Sequence, residues 1–260
     1  MPTKLYIINA FTGERFGGNP AAVVPLRYWL PEEEMRAMAA QHNLSETAFV
    51  VPHGKDFAIR WLTPTVEVDL CGHATLASAH VFFNFEGYEA DRISFHSKSG
   101  PLHVTRQPDG SLTLDFPANP PVETAPEPLV SQGLGITPVA FYTSSFDFMA
   151  VLEKQADIEH LAPDFIRLAQ LPARGLIVTA PGNEVDFVSR CFYPQSGVNE
   201  DPVTGSAHTV MAPYWAARLG KNALKAVQLS VRRGELFCEC RGDRVLLSGR
   251  AVTYLVGELA

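Results

Sequence analysis

Asp56-Phe57-Ala58-Ile59-Arg60-Trp61-Leu62-Thr63-Pro64 reappears downstream as Asp186-Phe187-Val188-Ser189-Arg190-Cys191-Phe192-Tyr193-Pro194, with Asp, Phe, Arg and Pro kept at an offset of 130 residues. Beyond it, Cys71-Gly72 matches Thr204-Gly205 at an offset of 133, Gly87 matches Gly220 at the same offset, and Gly100 meets Gly234. Pro31 and Pro163 each open a short helix ahead of a strand. A proline suits a first helical turn, because its missing N–H would have no partner there. One plan of strands, short helix, strands, long helix and strands therefore runs twice. Two copies make a pseudo-duplicated pair of domains, not a solenoid.

The long segments, His73–Phe85 and Ser206–Leu219, are apolar almost all round. A helix with no broad polar face is buried on most sides. The expected fold is α+β: two pseudo-symmetric halves, each a curved, mostly antiparallel sheet around its own central helix. Pro213 inside the second long helix is expected to kink it. Phe116–Pro128, with prolines at 117, 120, 121, 126 and 128, reads as the inter-domain linker, which puts the halves at residues 1–117 and 118–260. Ala251–Val256 is a last strand that either stays in the second half or returns to the first.

The two helix starts follow Asp69-Leu70-Cys71-Gly72-His73-Ala74 and Asn199-Glu200-Asp201-Pro202-Val203-Thr204-Gly205-Ser206. The first amides of a helix lack an intrahelical acceptor and carry the positive end of the helix dipole, and a glycine there lets a ligand approach the backbone. Gly72 and Gly205, with His73 and Ser206, are thus the candidate binders of a small anion. Two such starts in corresponding places suggest two halves facing one small anion.

Composition narrows the function. The chain has 260 residues, 46% hydrophobic and 19% charged, with a formal charge of −7. No basic cluster offers a surface to nucleic acid or to an anionic membrane. No stretch nears the roughly 20 apolar residues of a membrane span, and Met1–Asn9 is too short an apolar run for a secretory signal. Cys71, Cys191, Cys238 and Cys240 lack C-x-x-C spacing. These features suit a cytoplasmic protein. Oligomeric state is open, a homodimer included.

Glu46 enters a strand in Leu44-Ser45-Glu46-Thr47-Ala48-Phe49 with little charge beside it. A lone glutamate of this kind is most often a solvated strand edge; a buried one would have its pKa raised and could carry a proton. His73 sits where the helix dipole disfavours its charged form, so a neutral imidazole is expected. Asp201 and Ser206 mark the matching place in the second half. Cys71 with His73, His80 and His208 meets no established metal spacing, so no metal is expected. No G-x-S-x-G elbow supports a hydrolase, and Gly17-Gly18-Asn19 lacks the dinucleotide fingerprint.

Asn19-Pro20-Ala21-Ala22-Val23, Asn43–Phe49, Cys71–Ala77 and Glu200–Ala207 together resemble the PhzF-like family, relatives of the phenazine-biosynthesis isomerase, over nearly the whole chain. The resemblance implies the diaminopimelate-epimerase fold with the active site between its halves. It also implies that Glu46 moves a proton between two carbons without a cofactor, that His73, Asp201 and Ser206 bind or relay, and that amides at both helix starts hold the substrate carboxylate. The epimerases of this fold use two opposed cysteines; here Cys71 matches the first, but Thr204 replaces the second. A single-carboxylate isomerase acting on a small carboxylate-bearing substrate is therefore expected. The alternatives are an epimerase or dehydratase on an amino-acid-like substrate, or a non-catalytic interaction module that kept the fold.

Overall fold

The computed structural model describes residues 3–259; the first two residues of the N-terminal stretch and Ala260 lie outside them. The chain divides into two compact units, Met1–Asp115 with Ser248–Ala260, and Phe116–Leu247. Among the described residues no helix is long and apolar enough to cross a membrane.

The first unit runs β1 (Thr3–Ala10), β2 (Asn19–Pro25), α1 (Glu32–His42), β3 (Glu46–His53), β4 (Asp56–Leu62), β5 (Glu67–Val68), α2 (Gly72–Asn84), β6 (Arg92–Ser97), β7 (Gly100–Arg106) and β8 (Leu112–Pro117). Antiparallel pairs join β1 to β2, β3 to β4, β6 to β7 and β7 to β8. The two helical crossovers make the parallel pairs, β2 with β3 and β4 with β6.

The second unit runs β9 (Val122–Glu123), α3 (Pro128–Leu134), β10 (Ala140–Thr143), β11 (Asp147–Val151), α4 (Gln155–Glu159), α5 (Phe165–Leu168), β12 (Gly175–Pro181), β13 (Phe187–Tyr193), β14 (Val198–Asp201), α6 (Gly205–Leu219), β15 (Ala223–Gln228), β16 (Gly234–Arg241) and β17 (Arg244–Gly249). Its pairings repeat the pattern: β10 with β11 antiparallel, β11 with β12 parallel, β12 with β13 antiparallel, β13 with β15 parallel and β15 with β16 antiparallel. The fold is α+β, with mixed but mainly antiparallel sheets.

Three features lie beyond the local sequence signals. The proline-rich stretch is not a plain linker, because Val122–Glu123 pairs with Tyr142 and Thr143 of β10. Helix α6 runs unbroken from Gly205 to Leu219 with Pro213 inside it. The last strand, β18 (Ala251–Leu259), pairs antiparallel with β1 along its whole length.

Strand alternation decides which side chains meet the long helices. Phe49 and Leu62 pack with Met35 and Ala39 of α1. Successive side chains on a strand point to opposite faces, so Glu46, Ala48 and Val50 turn to the other face, where α2 packs. In the second unit Leu176, Val178 and Ala180 join the cluster formed with α3, α4 and α5. Gly175, Ile177 and Thr179 therefore face α6, and the Thr179 hydroxyl accepts a bond from Trp215 Nε1 at 2.9 Å. Trp215 in turn stacks on Phe187 with centroids 5.9 Å apart.

Both units carry the same buttress. Arg60 donates to both oxygens of Glu67 at 2.8 and 2.7 Å, and Arg190 does the same to Glu200 at 2.7 and 2.8 Å. These bidentate pairs tie β4 to β5 and β13 to β14, the short strand before each long helix. Such fork-to-fork contacts fix geometry as well as adding charge-assisted bonds.

Two buried histidines make stability depend on pH. Burial holds both His80 and His208 down at about 4, although the Thr204 carbonyl bond on His208 works the other way. As pH falls below about 6.5 the unfolded chain takes up these protons first, so stability is lost progressively until the folded imidazoles titrate near 4. Each should cost up to about 3 kcal/mol across that window. Urea midpoints measured from neutral pH downward should fall; midpoints flat over the window would contradict the assignment.

Candidate active site

In the first unit, Glu46 at the start of β3 meets His73 in the first turn of α2. Their Oε2 and Nε2 atoms lie 3.1 Å apart, and both are buried with no other hydrogen-bond partner. The other ring nitrogen, Nδ1, is covered by Asn19 Nδ2 at 3.2 Å and Cys71 Sγ at 3.5 Å. Asn19 is fully buried and His73 is 4% exposed, while Glu46 keeps partial access to solvent. Each residue comes from a different element: β2, β3, the loop before α2, and α2 itself.

His73 departs from expectation. Burial pulls its pKa down, but the Cys71 sulfur and the Glu46 carboxylate outweigh burial and the imidazole rises well above its ordinary value. The neutral ring expected from the helix dipole is therefore displaced by the adjacent carboxylate. A contact at 3.1 Å in a poorly solvated site is stronger than the partial charge of a helix end. The Cys71 thiol is pushed up, chiefly by burial.

Glu46, Cys71 and His73 offer donor atoms within 4.8 Å of one another. The sulfur, however, touches Nδ1 and the carboxylate touches Nε2. One ion cannot use both contacts as they stand, so this geometry suits proton transfer along the ring better than ligation.

In the second unit, Asp201 ends β14 and accepts the Thr204 hydroxyl at 2.5 Å. Buried Gln228 holds this loop: its Oε1 accepts the Thr204 amide at 2.9 Å and its Nε2 donates to the Asp201 carbonyl at 2.7 Å. Ser206 lies elsewhere in the α6 start, and its hydroxyl accepts from Arg174 Nη2 at 3.2 Å. Neither α2 nor α6 has a side-chain cap, so the amides of Gly72 and His73, and of Gly205 and Ser206, end their helices without intrahelical acceptors.

Laying one unit's register on the other shows what sits opposite Glu46 in the repeat. Val50 pairs with Ile59, and Thr179 pairs with Ser189, so Glu46 corresponds to Gly175. His73 corresponds to Ser206 and Cys71 to Thr204. Gln228 and Arg174 carry no local motif and were not singled out by spacing, and Asn19, though it opens a motif, was given no role at the site. Arg174 stands one residue before Gly175, a relation visible only once strand register is known.

The twice-built α+β chain is, by class, of the PhzF isomerase type. The family model described as phenazine biosynthesis-like protein matches residues 8–257, and the chain belongs to that family. An uncharacterized isomerase of Pseudomonas aeruginosa is 49% identical, with 100% of this chain and 99% of that protein covered. The crystal structure of a PhzF family protein from Enterococcus faecalis superposes with a TM-score of 0.96 at 44% identity, covering 100% of both chains. A hydroxyproline epimerase from Agrobacterium vitis shares the fold alone, with a TM-score of 0.65 at 12% identity, covering 100% of this chain and 94% of that one.

Proposed function

We propose that this protein is a cofactor-independent isomerase that moves a proton between carbons of a small, carboxylate-bearing substrate. The observation that supports this most is the 3.1 Å contact of the buried Glu46 Oε2 and His73 Nε2. Glu46 as carboxylate takes a proton from a carbon beside an activating group, and the electron pair delocalises into that group. Glu46 as acid then returns the proton to a second carbon. The substrate keeps its formula, and the carboxylate is regenerated. His73 exchanges a proton with Glu46 across Nε2. In each unit, the uncapped amides at the start of the long helix, at Gly72 and at Gly205, are suited to hold an anionic group or to steady developing negative charge.

Asp201 and Ser206 are assigned to substrate binding and relay. Asp201→Asn and Ser206→Ala should raise KM or lower kcat while leaving the melting temperature nearly unchanged. A two-base racemisation is disfavoured, because Gly175 occupies the repeat position at which a second carboxylate would stand. Turnover in deuterium oxide tests the reading: deuterium should enter the product carbon that gains the proton. Product free of solvent deuterium at full conversion, with fast exchange of the Glu46 proton, would count against it.

A further inference from the structure

The two units serve as internal controls for each other. What repeats, such as the Arg60–Glu67 and Arg190–Glu200 pairs, belongs to the architecture. What differs at matching places belongs to the chemistry. Where the first unit sets Glu46 against His73, the second has Gly175 at the glutamate position and sets Arg174, the residue before it, against Ser206, the match of His73. The first of these pairs handles protons; the second is cationic and rich in donors.

Arg174 is also held in an unusual manner. Its Nε and Nη2 donate to the two oxygens of Asp147 at 2.9 and 2.5 Å, and the Asp147 side chain is 1% exposed. Its guanidinium lies between two rings, 5.6 Å from the Phe146 centroid and 5.4 Å from that of Tyr193. Phe146 is 64% exposed and lies at the surface beside the guanidinium. The Arg174 side chain keeps 39% exposure, and its Nη1 bonds to no other described residue. Asp147 thus orients the guanidinium, and Nη1 stays open beside the Ser206 hydroxyl, which accepts from Nη2 and keeps its own hydrogen to donate.

We propose that Arg174, oriented by Asp147 and working with the Ser206 hydroxyl, is a binding position for a planar oxyanion, namely a carboxylate of the substrate. This rests on the reading of the substrate as carboxylate-bearing and names the side chain that recognises that group. A guanidinium presents paired donors that match a carboxylate, whereas a helix end offers only amides. Phe146 covers the guanidinium and excludes water from one face of the bound anion. The Asp147 carboxylate cancels net charge, so recognition depends on donor geometry and is lost when lysine replaces arginine.

Benzoate and its neutral isostere benzamide serve as probes in calorimetric titrations of the full chain. Arg174→Gln alone would strand a buried carboxylate and destabilise the unit. The informative variant is Arg174→Gln with Asp147→Asn, which removes both charges together. The wild type should bind benzoate and discriminate against benzamide, and benzoate should shift the Arg174 Nε–H resonance. The double variant should retain its melting behaviour and bind benzoate about tenfold more weakly or worse, the loss of one charge-assisted pair. Arg174→Lys should resemble the double variant in binding. Equal benzoate binding by wild type and double variant, or a wild type that binds no benzoate at the highest soluble concentration, would overturn the proposal. The proton-shuttle reading stands or falls separately, on deuterium exchange.

Discussion

Glu46→Gln should lower turnover by about 10² to 10⁴, the range that a positioned acid–base group contributes, while leaving the fold intact. Glutamine preserves the side-chain volume beside His73 but can neither take nor return a proton. A second signature accompanies the loss of rate. With the carboxylate 3.1 Å from Nε2 gone, one source of the upward push on His73 disappears, and its titration should move down toward the ordinary imidazole range. Histidine NMR reads that shift directly, and isotope exchange reads the chemistry. A Gln variant that turns over normally would remove Glu46 from the mechanism, whatever His73 does.

Gly175→Ala should destabilise the second unit by about 3 kcal/mol, near the upper end of ordinary overpacking. A Cβ at this position would stand 2.2 Å from Tyr193 Cδ1 and 2.7 Å from the carbonyl oxygen of Phe192. Tyr193 is a buried ring under Arg174, and Phe192 is fixed by its pairing with Leu176, so neither neighbour can yield cheaply. Chemical denaturation of Gly175→Ala beside Gly13→Ala, whose Cβ would meet nothing within 4 Å, separates crowding from loss of a glycine. Equal stability in Gly175→Ala and wild type would refute the packing account. The same crowding bears on the reaction: a position that rejects a methyl group rejects a carboxylate, so the asymmetry between the units is enforced by packing.

Much of this was legible in the sequence because it was written twice. The Asp-Phe-Arg-Pro spacing, the glycines at the starts of the long helices and the apolar bodies of those helices all depend on neighbours close in the chain. Glu46 and His73 were readable as types in a pattern, although their meeting depends on which face of β3 looks toward α2. Gln228 and Arg174 were not readable, and Asn19 was readable as part of a motif but not as a partner of His73. Each acts on a residue far away in the chain: Asn19 on His73, Gln228 on Thr204, Arg174 on Asp147 and Ser206. Strand register, which sums many weak cross-strand preferences, is what brings them together. The strand within the proline-rich stretch was hidden for a related reason, since two residues paired with β10 leave no periodicity to detect.

The pairing of β18 with β1 constrains how the protein is made. During synthesis, β1 emerges first yet waits for its neighbour until residues 251–259 have left the ribosome. The nascent first unit must therefore present an unfinished sheet edge throughout elongation, while every segment of the second unit is already available. Vectorial synthesis should favour completion of the later-made half, with the earlier one closing last. Truncation just before Ala251 should accordingly yield chains that retain the second unit and lose the protease resistance of the first.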